Sequence, residues 1–337
     1  MKKGHLVVVC LIVGVIFWLT GSQQISAHEK VTLEFYSTVA GTTAYNIHEA
    51  LTDMLNKKHP WLKASHLETA SDAERLALVD ELPLKRKKVA IPGYLSIDLV
   101  KARLGMKPFR KKYIEGRMVA TYMAIAMYFV TYDKNIKTPE DLIGKKVGLF
   151  PRGHSMNYIA EPLLKVWGVH DKVKISYHRP TAFKDALTTG IIDVAWATAV
   201  PWSKKKTSVS PYAQEILGAR KTYWIPITEA DQKSLNKMNP FKVGYGVWSK
   251  GALGKGNPPN ETGFLRVFGA WCTTSVAEDD VIYELAKFIY ENADGFQQYV
   301  PVMSGDGIRE IMAGDPLMSE IGHPGAIRFY KEKGLIK

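Results

Sequence analysis

Cysteine and long apolar runs are scarce in this sequence. Its 337 residues include only two cysteines, Cys10 and Cys272. Cys10 lies in an amino-terminal segment that we expect to be removed, which would leave one cysteine and no intrachain disulfide. Outside that segment, no apolar run reaches the roughly 20 residues that a membrane-spanning helix needs. We therefore expect a soluble protein that is held together by its hydrophobic core.

Motifs for metals and cofactors are also missing. The pair His48-Glu49 lacks the second histidine of a His-Glu-x-x-His helix. The remaining histidines do not fall at zinc-ligand spacing either; His59 and His66, for example, are too far apart. The sequence therefore predicts neither a metal site nor a cofactor.

Residues 1–27 have the layout of a secretory signal. Lys2 and Lys3 precede an apolar run at 6–19, and the small residue Ala27 suits the position before a cleavage site. We expect cleavage after Ala27 and a periplasmic or otherwise extracytoplasmic location. An uncleaved segment would instead anchor the protein to the membrane.

The charge balance is basic. The formal net charge is +12 at pH 7, of which Lys2 and Lys3 supply two. Such a balance favours anionic ligands or surfaces. The lysines and arginines lie in short, dispersed clusters at 85–88, 110–112 and 204–206. Dispersal and export both argue against nucleic acid as a partner. Each cluster is interpreted as a solvated surface patch, with contact to a membrane partner as the alternative.

Apolar periodicity predicts two units in which strands and helices alternate. The expected strands are 31–36, 88–91, 145–150 and 192–197, and the expected helices are 45–58, 71–82, 156–166, 181–189 and 279–292. This order implies parallel sheets, and the extended stretch 118–130 would carry the chain between them.

The sequence thus predicts an α/β fold of two lobes, each with a central sheet flanked by helices. Lobe 1 would comprise residues 28–131, and lobe 2 residues 132–244. Residues 245–337 would return to lobe 1 and add the carboxy-terminal helices.

Ligands of open α/β lobes bind beyond the carboxyl ends of the strands. The loop after the first strand supplies hydroxyl groups and a glycine at this position, followed by the start of a helix whose N–H groups favour an anion. Its candidate ligand-binding residues are Ser37, Thr38, Gly41, Thr42, Thr43 and Tyr45. A simple glycine turn with threonine caps is the alternative interpretation.

The loop after the strand 145–150 offers a second set. Arg152 could hold both oxygens of a carboxylate, and His154 and Ser155 could donate hydrogen bonds. Thr198 and Trp202 follow a lobe 2 strand, and Tyr94 follows a lobe 1 strand. For these residues, surface exposure or core packing is the competing interpretation. The predicted ligand is a small organic anion, and lobe closure about a hinge would trap it.

Two other classes of function are open. The segment from Gly153 to Asn157 nearly matches the Gly-x-Ser-x-Gly nucleophile elbow, so Ser155 could be the nucleophile of a secreted serine hydrolase, with His323 as its base. Asn157 replaces the final glycine, and Pro151 and Arg152 separate the strand from Gly153, which opposes this interpretation. A ligand-sensing receptor domain without transport is the third class, because fold does not fix use.

Four segments of the chain resemble a known family. The closing segment 322–335 contains His323-Pro-Gly-Ala326, and the other three are 141–147, 190–193 and 280–283. In these segments the chain resembles the TAXI solute receptors of TRAP-type transporters. The resemblance implies a type II periplasmic binding protein fold, a ligand in the interlobe cleft and delivery of that ligand to TRAP membrane subunits. It implies a binding protein and not an enzyme.

The chain departs from the TAXI pattern in both predicted ligand loops. Ala40 and Ala44 stand in a first loop that is richer in glycine in that family, and the second loop has Gly153-His154-Ser155 where the family commonly has Gly-Ser-Gly. The carboxylate ligands of the family, glutamate-like ones among them, therefore do not transfer to this chain residue by residue.

Overall fold

A computed structural model describes residues 29–38, 40, 42–69, 71–109, 111–203 and 206–337. The strands are β1 (Val31–Ser37), β2 (Leu62–Glu68), β3 (Ala90–Leu95), β4 (Gly116–Thr131), β5 (Lys146–Leu149), β6 (Lys174–Tyr177), β7 (Val194–Ser203), β8 (Lys206–Val209), β9 (Tyr223–Ile225), β10 (Gly244–Trp248) and β11 (Thr262–Thr274). The expected signal segment 1–27 lies outside the described residues.

Twelve α-helices occur in the described part of the chain. They are α1 (Thr43–Lys58), α2 (Asp72–Glu81), α3 (Leu84–Lys87), α4 (Ser96–Leu104), α5 (Asn157–Val166), α6 (Phe183–Thr188), α7 (Pro211–Ala219), α8 (Glu229–Met238), α9 (Asp279–Glu291), α10 (Gly305–Ile311), α11 (Met318–Ile321) and α12 (Pro324–Glu332). Within the ranges given above, no helix is long and apolar enough to cross a bilayer.

The strands form one curled, mixed sheet in the order β2-β1-β3-β11-β4-β7-β5-β6. The pairs at its two ends, β2-β1-β3 and β7-β5-β6, are parallel, whereas β11 and β4 run antiparallel to their neighbours. Parallel strands require covering helices on both faces, which matches the alternation in the sequence. The predicted α/β class is confirmed.

Strand β4 connects the two ends of the sheet. Its first part pairs with β11 from Gly116 to Met127, and its last part pairs with β7 from Ala126 to Thr131. β1 and β3 run in the same direction as β4, toward its β7-paired part, whereas β5 runs in the opposite direction, toward its β11-paired part. The carboxyl ends of β1 and β3 therefore face the carboxyl end of β5. The division into lobes at residues 131 and 244 stays a prediction; these positions fall at the end of β4 and at the start of β10.

Local sequence explains where several helices begin. The Thr42 hydroxyl caps α1 by accepting from the Tyr45 amide, and the Ser71 hydroxyl caps α2 by accepting from the Glu74 amide. The predicted cap at Ser71 is confirmed. The prediction that the strand at 88–91 stops before Pro92 is wrong, because β3 continues to Leu95.

Candidate functional site

The carboxyl ends of β1, β2 and β3 lie side by side. Ser37 is opposite Glu68 of β2, and Tyr36 is opposite Pro92 of β3. The amide and the hydroxyl of Thr69 both donate to the carbonyl of Ser37, at 2.9 and 2.7 Å. The loop after β1 and the segment after β2 are therefore joined at one edge of the sheet.

Arg75 of α2 is the central cation of this edge, and it is 2 % exposed. Its Nε donates to the Thr69 hydroxyl at 2.9 Å, and its Nη1 donates to Asp72 at 2.7 Å and to the carbonyl of Gly93. Its Nη2 is buried and, among the described residues, has no hydrogen-bond partner. A buried guanidinium with an unused donor can accept an anionic group.

Asp72 forms an ion pair with Arg75 and also binds the backbone. It accepts from the Leu95 amide at 3.3 Å as well as from Arg75. Burial raises the pKa of Asp72, and the guanidinium of Arg75 opposes that rise. Arg75 therefore favours the ionised form of the Asp72 carboxyl group.

His48 of α1 adds an uncharged ring to the same edge. Its Nδ1 donates to the Ala44 carbonyl at 2.8 Å, and burial lowers the pKa of His48 to about 3. The ring is therefore neutral at pH 7, which leaves Nε2 as an acceptor. A Cβ on Gly93 would lie 2.3 Å from that nitrogen, so only glycine leaves room for the ring here.

Ser37, His66 and Glu49 form a hydrogen-bonded relay. The Ser37 hydroxyl lies 2.5 Å from His66 Nε2, and His66 Nδ1 lies 2.6 Å from a Glu49 carboxylate oxygen. Ser37 is 1 % exposed, whereas the Glu49 side chain is 54 % exposed. The Tyr45 ring packs against His66 with ring centroids 4.5 Å apart. The relay and the Tyr45 ring connect the end of β1 with β2 and α1.

The loop after β5 reaches the other side of this edge. The Ser155 hydroxyl donates to Asp98 of α4 at 2.7 Å, which joins the loop after β5 to the helix that follows β3. Lys101, 3 % exposed, lies 3.3 Å from Asp98 and over the ring of Tyr158. Burial lowers the pKa of His154, with Lys101 adding to the effect.

Arg152 is placed apart from that contact. Its side chain is exposed, and its guanidinium lies 4.3 Å from the ring centroid of Tyr177 on the edge strand β6. There it lines a cavity of about 340 Å³ together with Glu161 and Asn239. The structure does not bring Arg152 together with Asp98, because stacking on Tyr177 holds its guanidinium on the outer side of the loop.

The other predicted site residues are mostly bound within the protein. Both the amide and the hydroxyl of Thr198 bond to the Tyr212 hydroxyl, and the Trp202 indole, 5 % exposed, donates to Ser208. Tyr94 lies within β3, not after it, and is 2 % exposed. Thr38 and Thr42 are half-buried, Thr43 is exposed at the start of α1, and Gly41 lies outside the described residues.

A strip of half-buried apolar side chains on the crossing strands was not predicted. Met123 and Ile125 alternate along β4, and Gly269 separates Met123 from Leu95 of β3. Val200 follows the β4-paired residue Ala199 and so lies beside Ile125. These four apolar side chains form a floor between the two loop edges. The described residues contain no group of three or more potential metal ligands.

The family model of the NMT1-like family matches residues 37–334. The chain belongs to this family. The match begins at Ser37, the last residue of β1, and extends past α12, so it includes both loop edges, the relay and the crossing strands.

Solved structures are similar over nearly the whole chain. The TctC solute binding protein from Polaromonas has a TM-score of 0.50 at 12% identity, over 90% of this chain and 98% of that one. The putative sulfonate-binding protein SsuA from Methylobacillus flagellatus has a TM-score of 0.49 at 15% identity, over 91% and 88%. Rpa4515 from R. palustris, solved with adipate, has a TM-score of 0.46 at 11% identity, over 91% and 96%. The fold is that of the periplasmic binding proteins.

Proposed function

We propose that this protein is an extracytoplasmic receptor that captures a small organic anion between its two loop edges. The single observation that carries the proposal is the buried Arg75 with its unused Nη2, at the carboxyl ends of β1 and β3. In this proposal Arg75 takes the anion-binding role that the sequence suggested for Arg152. The carboxylate class is the first choice, because a guanidinium binds both carboxylate oxygens.

The apolar strip supports a ligand with an aliphatic body. Met123, Ile125 and Val200, which are half-buried, would contact that body. A concave site with an apolar floor and few polar groups is typical of small-molecule binding. Closure would bring Ser155 onto Asp98, as the 2.7 Å hydrogen bond between them suggests.

Delivery to TRAP-type membrane subunits is the finer part of the proposal. It is supported by the similarity of segment 322–335 to the TAXI receptors. A receptor that senses its ligand without transport would bind the same anion equally well, so binding alone does not separate the two roles. Uptake of a bound ligand into vesicles that carry the membrane subunits, dependent on added receptor, distinguishes transport from sensing.

Replacing Ser155 by alanine is expected to weaken binding of the anionic ligand by about tenfold, because the closed form loses one charge-assisted hydrogen bond. A thermal-shift screen of dicarboxylates, monocarboxylates and alkanesulfonates, with the neutral amides as controls, first finds a ligand. Titration calorimetry then compares the variants. Ser319→Ala, which changes an exposed serine on α11, is the matched control.

A panel in which no anion stabilises the protein more than its amide would argue against capture of an anion. If Ser155→Ala and Ser319→Ala bind the ligand equally, the Ser155–Asp98 contact is not part of closure.

One observation favours acyl hydrolysis as a second candidate function, although not at Ser155. The pairing of Ser155 with His323 is wrong, because His323 is 1 % exposed and its Nδ1 accepts from Gly325 in the cap of α12. The relay of Ser37, His66 and Glu49 does have the geometry of a nucleophile, a base and an orienting carboxylate. In that reaction the Ser37 hydroxyl would attack an ester carbonyl, and His66 would pass the proton to the leaving alcohol before water releases the acid.

Active-site labelling tests the relay. If it is catalytic, a fluorophosphonate should give one covalent adduct by intact mass, which is lost in Ser37→Ala and kept in Ser155→Ala. Because Ser37 is 1 % exposed, the adduct requires that its hydroxyl become accessible. A protein that stays unlabelled and fails to release p-nitrophenol from its acetate ester uses the relay only to position the first loop.

A further inference from the structure

The loop 105–115 connects α4 to β4 at the end of the sheet that lies opposite the two loop edges. α4 begins where β3 ends and runs back to Leu104, and β4 begins at Gly116. Because β3 runs parallel to β4, the start of β4 lies toward the amino end of β3. The Tyr113 amide donates to the Ala102 carbonyl at 3.0 Å, which folds the loop against the last turn of α4.

Two guanidinium groups meet at the end of this loop. Nη1 of Arg103 donates to the Ile114 carbonyl at 2.7 Å and to the Gly116 carbonyl at 3.3 Å. Nη1 of Arg117 donates to the same two carbonyls, at 2.8 and 3.0 Å. Burial lowers the pKa of Arg103, and the charge of Arg117 adds to the effect. An anion beside both groups would relieve their repulsion, and guanidinium groups suit phosphate oxygens in particular.

The acidic side chains around the loop are largely matched by other cations. Asp80 pairs with Lys111, Glu115 with Lys87 at 3.6 Å, Glu278 with Lys88 at 3.1 Å and Asp280 with Arg328 at 2.8 Å. Glu81 adds its charge beside Lys111, and Asp279 lies 3.7 Å from the His323 ring.

Four cations of this surface have no such match. In the part of the chain that the structure describes, no ion pair of 4.0 Å or less joins a carboxylate to Arg103, Arg117, Lys107 or Lys112. Both lysines are exposed, and a Cβ on Gly105 would lie 3.2 Å from Cγ of Lys112, so Lys112 lies close to the start of the loop. The surface therefore carries an excess of positive charge.

Exposed aliphatic side chains stand among these cations. Ile114, whose carbonyl receives both guanidinium groups, is 61 % exposed, and Leu104 at the end of α4 is 45 % exposed. Isolated aliphatic side chains within a basic surface are typical of proteins that lie on anionic bilayers. The centre of a protein–protein interface is instead depleted of lysine and enriched in aromatic residues. The composition of this surface thus favours a lipid partner.

We propose that this basic surface, formed by Arg103, Leu104, Lys107, Lys112, Ile114 and Arg117, binds the phosphate headgroups of an anionic bilayer. The two guanidinium groups hold a lipid phosphate, the lysines add long-range attraction, and the aliphatic side chains enter the interface. The described chain also enters β1 at the amino end of the sheet, so a membrane-anchored form would turn the same end toward the bilayer. Both loop edges then face away from the membrane and stay open to ligand.

Sedimentation of the exported chain, residues 28–337, with lipid vesicles tests the proposal. Vesicles of phosphatidylglycerol and phosphatidylcholine in equal parts should bind the protein at least tenfold more tightly than phosphatidylcholine alone. About 1 M salt should abolish the difference, because it shortens the Debye length to about 3 Å. Lys107→Gln and Lys112→Gln, which change exposed side chains, should each weaken binding about fivefold. Arg103→Gln with Arg117→Gln should weaken it further, and Ile114→Ser should weaken it without changing the salt dependence.

Matched controls lie elsewhere on the surface. Lys237→Gln on α8 and Ile191→Ser, which is 59 % exposed in the unmodified protein, should leave vesicle binding unchanged. Equal binding to both kinds of vesicle would overturn the proposal, as would equal losses in the variants and their controls. Release from vesicles by inorganic phosphate at constant ionic strength would assign the arginines to a soluble anion. Binding only to membranes that contain transporter subunits would assign the surface to a protein partner. None of these results depends on the carboxylate panel at Arg75.

Discussion

Replacing Arg75 by methionine is expected to lower the free energy of unfolding by about 3 kcal/mol, because the change removes one partner of a buried ion pair. Methionine keeps much of the apolar volume but donates no hydrogen bond. Asp72, the carbonyl of Gly93 and the hydroxyl of Thr69 would each lose a donor. Urea unfolding followed by circular dichroism measures the change at constant m-value.

A double-mutant cycle separates the ion pair from the other contacts of Arg75. Asp72→Asn retains an acceptor for the Leu95 amide while it removes the carboxylate charge. In the Asp72→Asn background, Arg75→Met should cost at least 1 kcal/mol less than in the unmodified chain, since no unpaired charge remains. Equal costs in both backgrounds would show that Arg75 stabilises the protein through Gly93 and Thr69 alone.

Arg75→Lys addresses ligand binding at the same position. Lysine keeps the positive charge but cannot donate at once to Thr69, Asp72 and a bound anion in the fixed fork of a guanidinium. The variant should therefore retain more of the fold than Arg75→Met and still lose affinity for the anion. Unchanged affinity would place the anion elsewhere.

The strands with strong apolar patterns were predictable from sequence, and the weak ones were not. β2 was missed because it carries Lys63, Ser65 and His66 and lies at the edge of the sheet, where one side needs no apolar residue. The end of β3 was misplaced because Pro92 and Gly93 are turn formers, and only the packing of His48 explains a glycine inside this strand.

The position of the candidate site was predictable, but its charged residues were not. The rule that ligands bind beyond strand ends led to the loops at Ser37 and Ser155. Arg75 and Asp98 lie on helices, where arginine and aspartate are common on the surface, so nothing in their local sequence marks them as buried or bridging. The two helices meet because both pack against β3.

The ion pairs of the basic clusters were also not predictable from the sequence. Lys87 lies 3.6 Å from Glu115, and Lys88 lies 3.1 Å from Glu278, which is far away in sequence. Arg86 pairs with Glu34 at 2.8 Å. The cluster at 85–88 is thus a paired surface patch, and its partners could not be inferred from spacing.

The closing signature, by contrast, has a structural explanation that the sequence did not supply. The His323 ring caps α12 by accepting from the Gly325 amide, and Pro324 occupies the first turn, where no amide donor is needed. Gly325 itself packs against the backbone of α9, close to the Asp279 carbonyl and the Tyr283 amide. These residues of the closing segment therefore fix α12 on α9.

Gly325→Ala is accordingly expected to lower the free energy of unfolding by about 2–3 kcal/mol, as overpacked cores do. The added Cβ would lie 2.1 Å from the Asp279 carbonyl oxygen and 2.9 Å from the Tyr283 amide nitrogen. Both are backbone atoms, so a side-chain rotation cannot relieve the overlap. The helix α12 would have to move away from α9, and the apolar contacts of Phe329 with Tyr283 and Tyr290 would loosen.

Gly218→Ala is the matched control for this substitution. Gly218 lies inside α7, and its added Cβ would meet only the Lys255 side chain, at 3.9 Å. Alanine there should leave stability unchanged or raise it by up to about 1 kcal/mol, because it restricts the unfolded chain. Opposite signs for the two glycines would attribute the loss at Gly325 to the contact between α12 and α9. If Gly325→Ala is as stable as the unmodified protein, α9 and α12 are not in the close backbone contact described here.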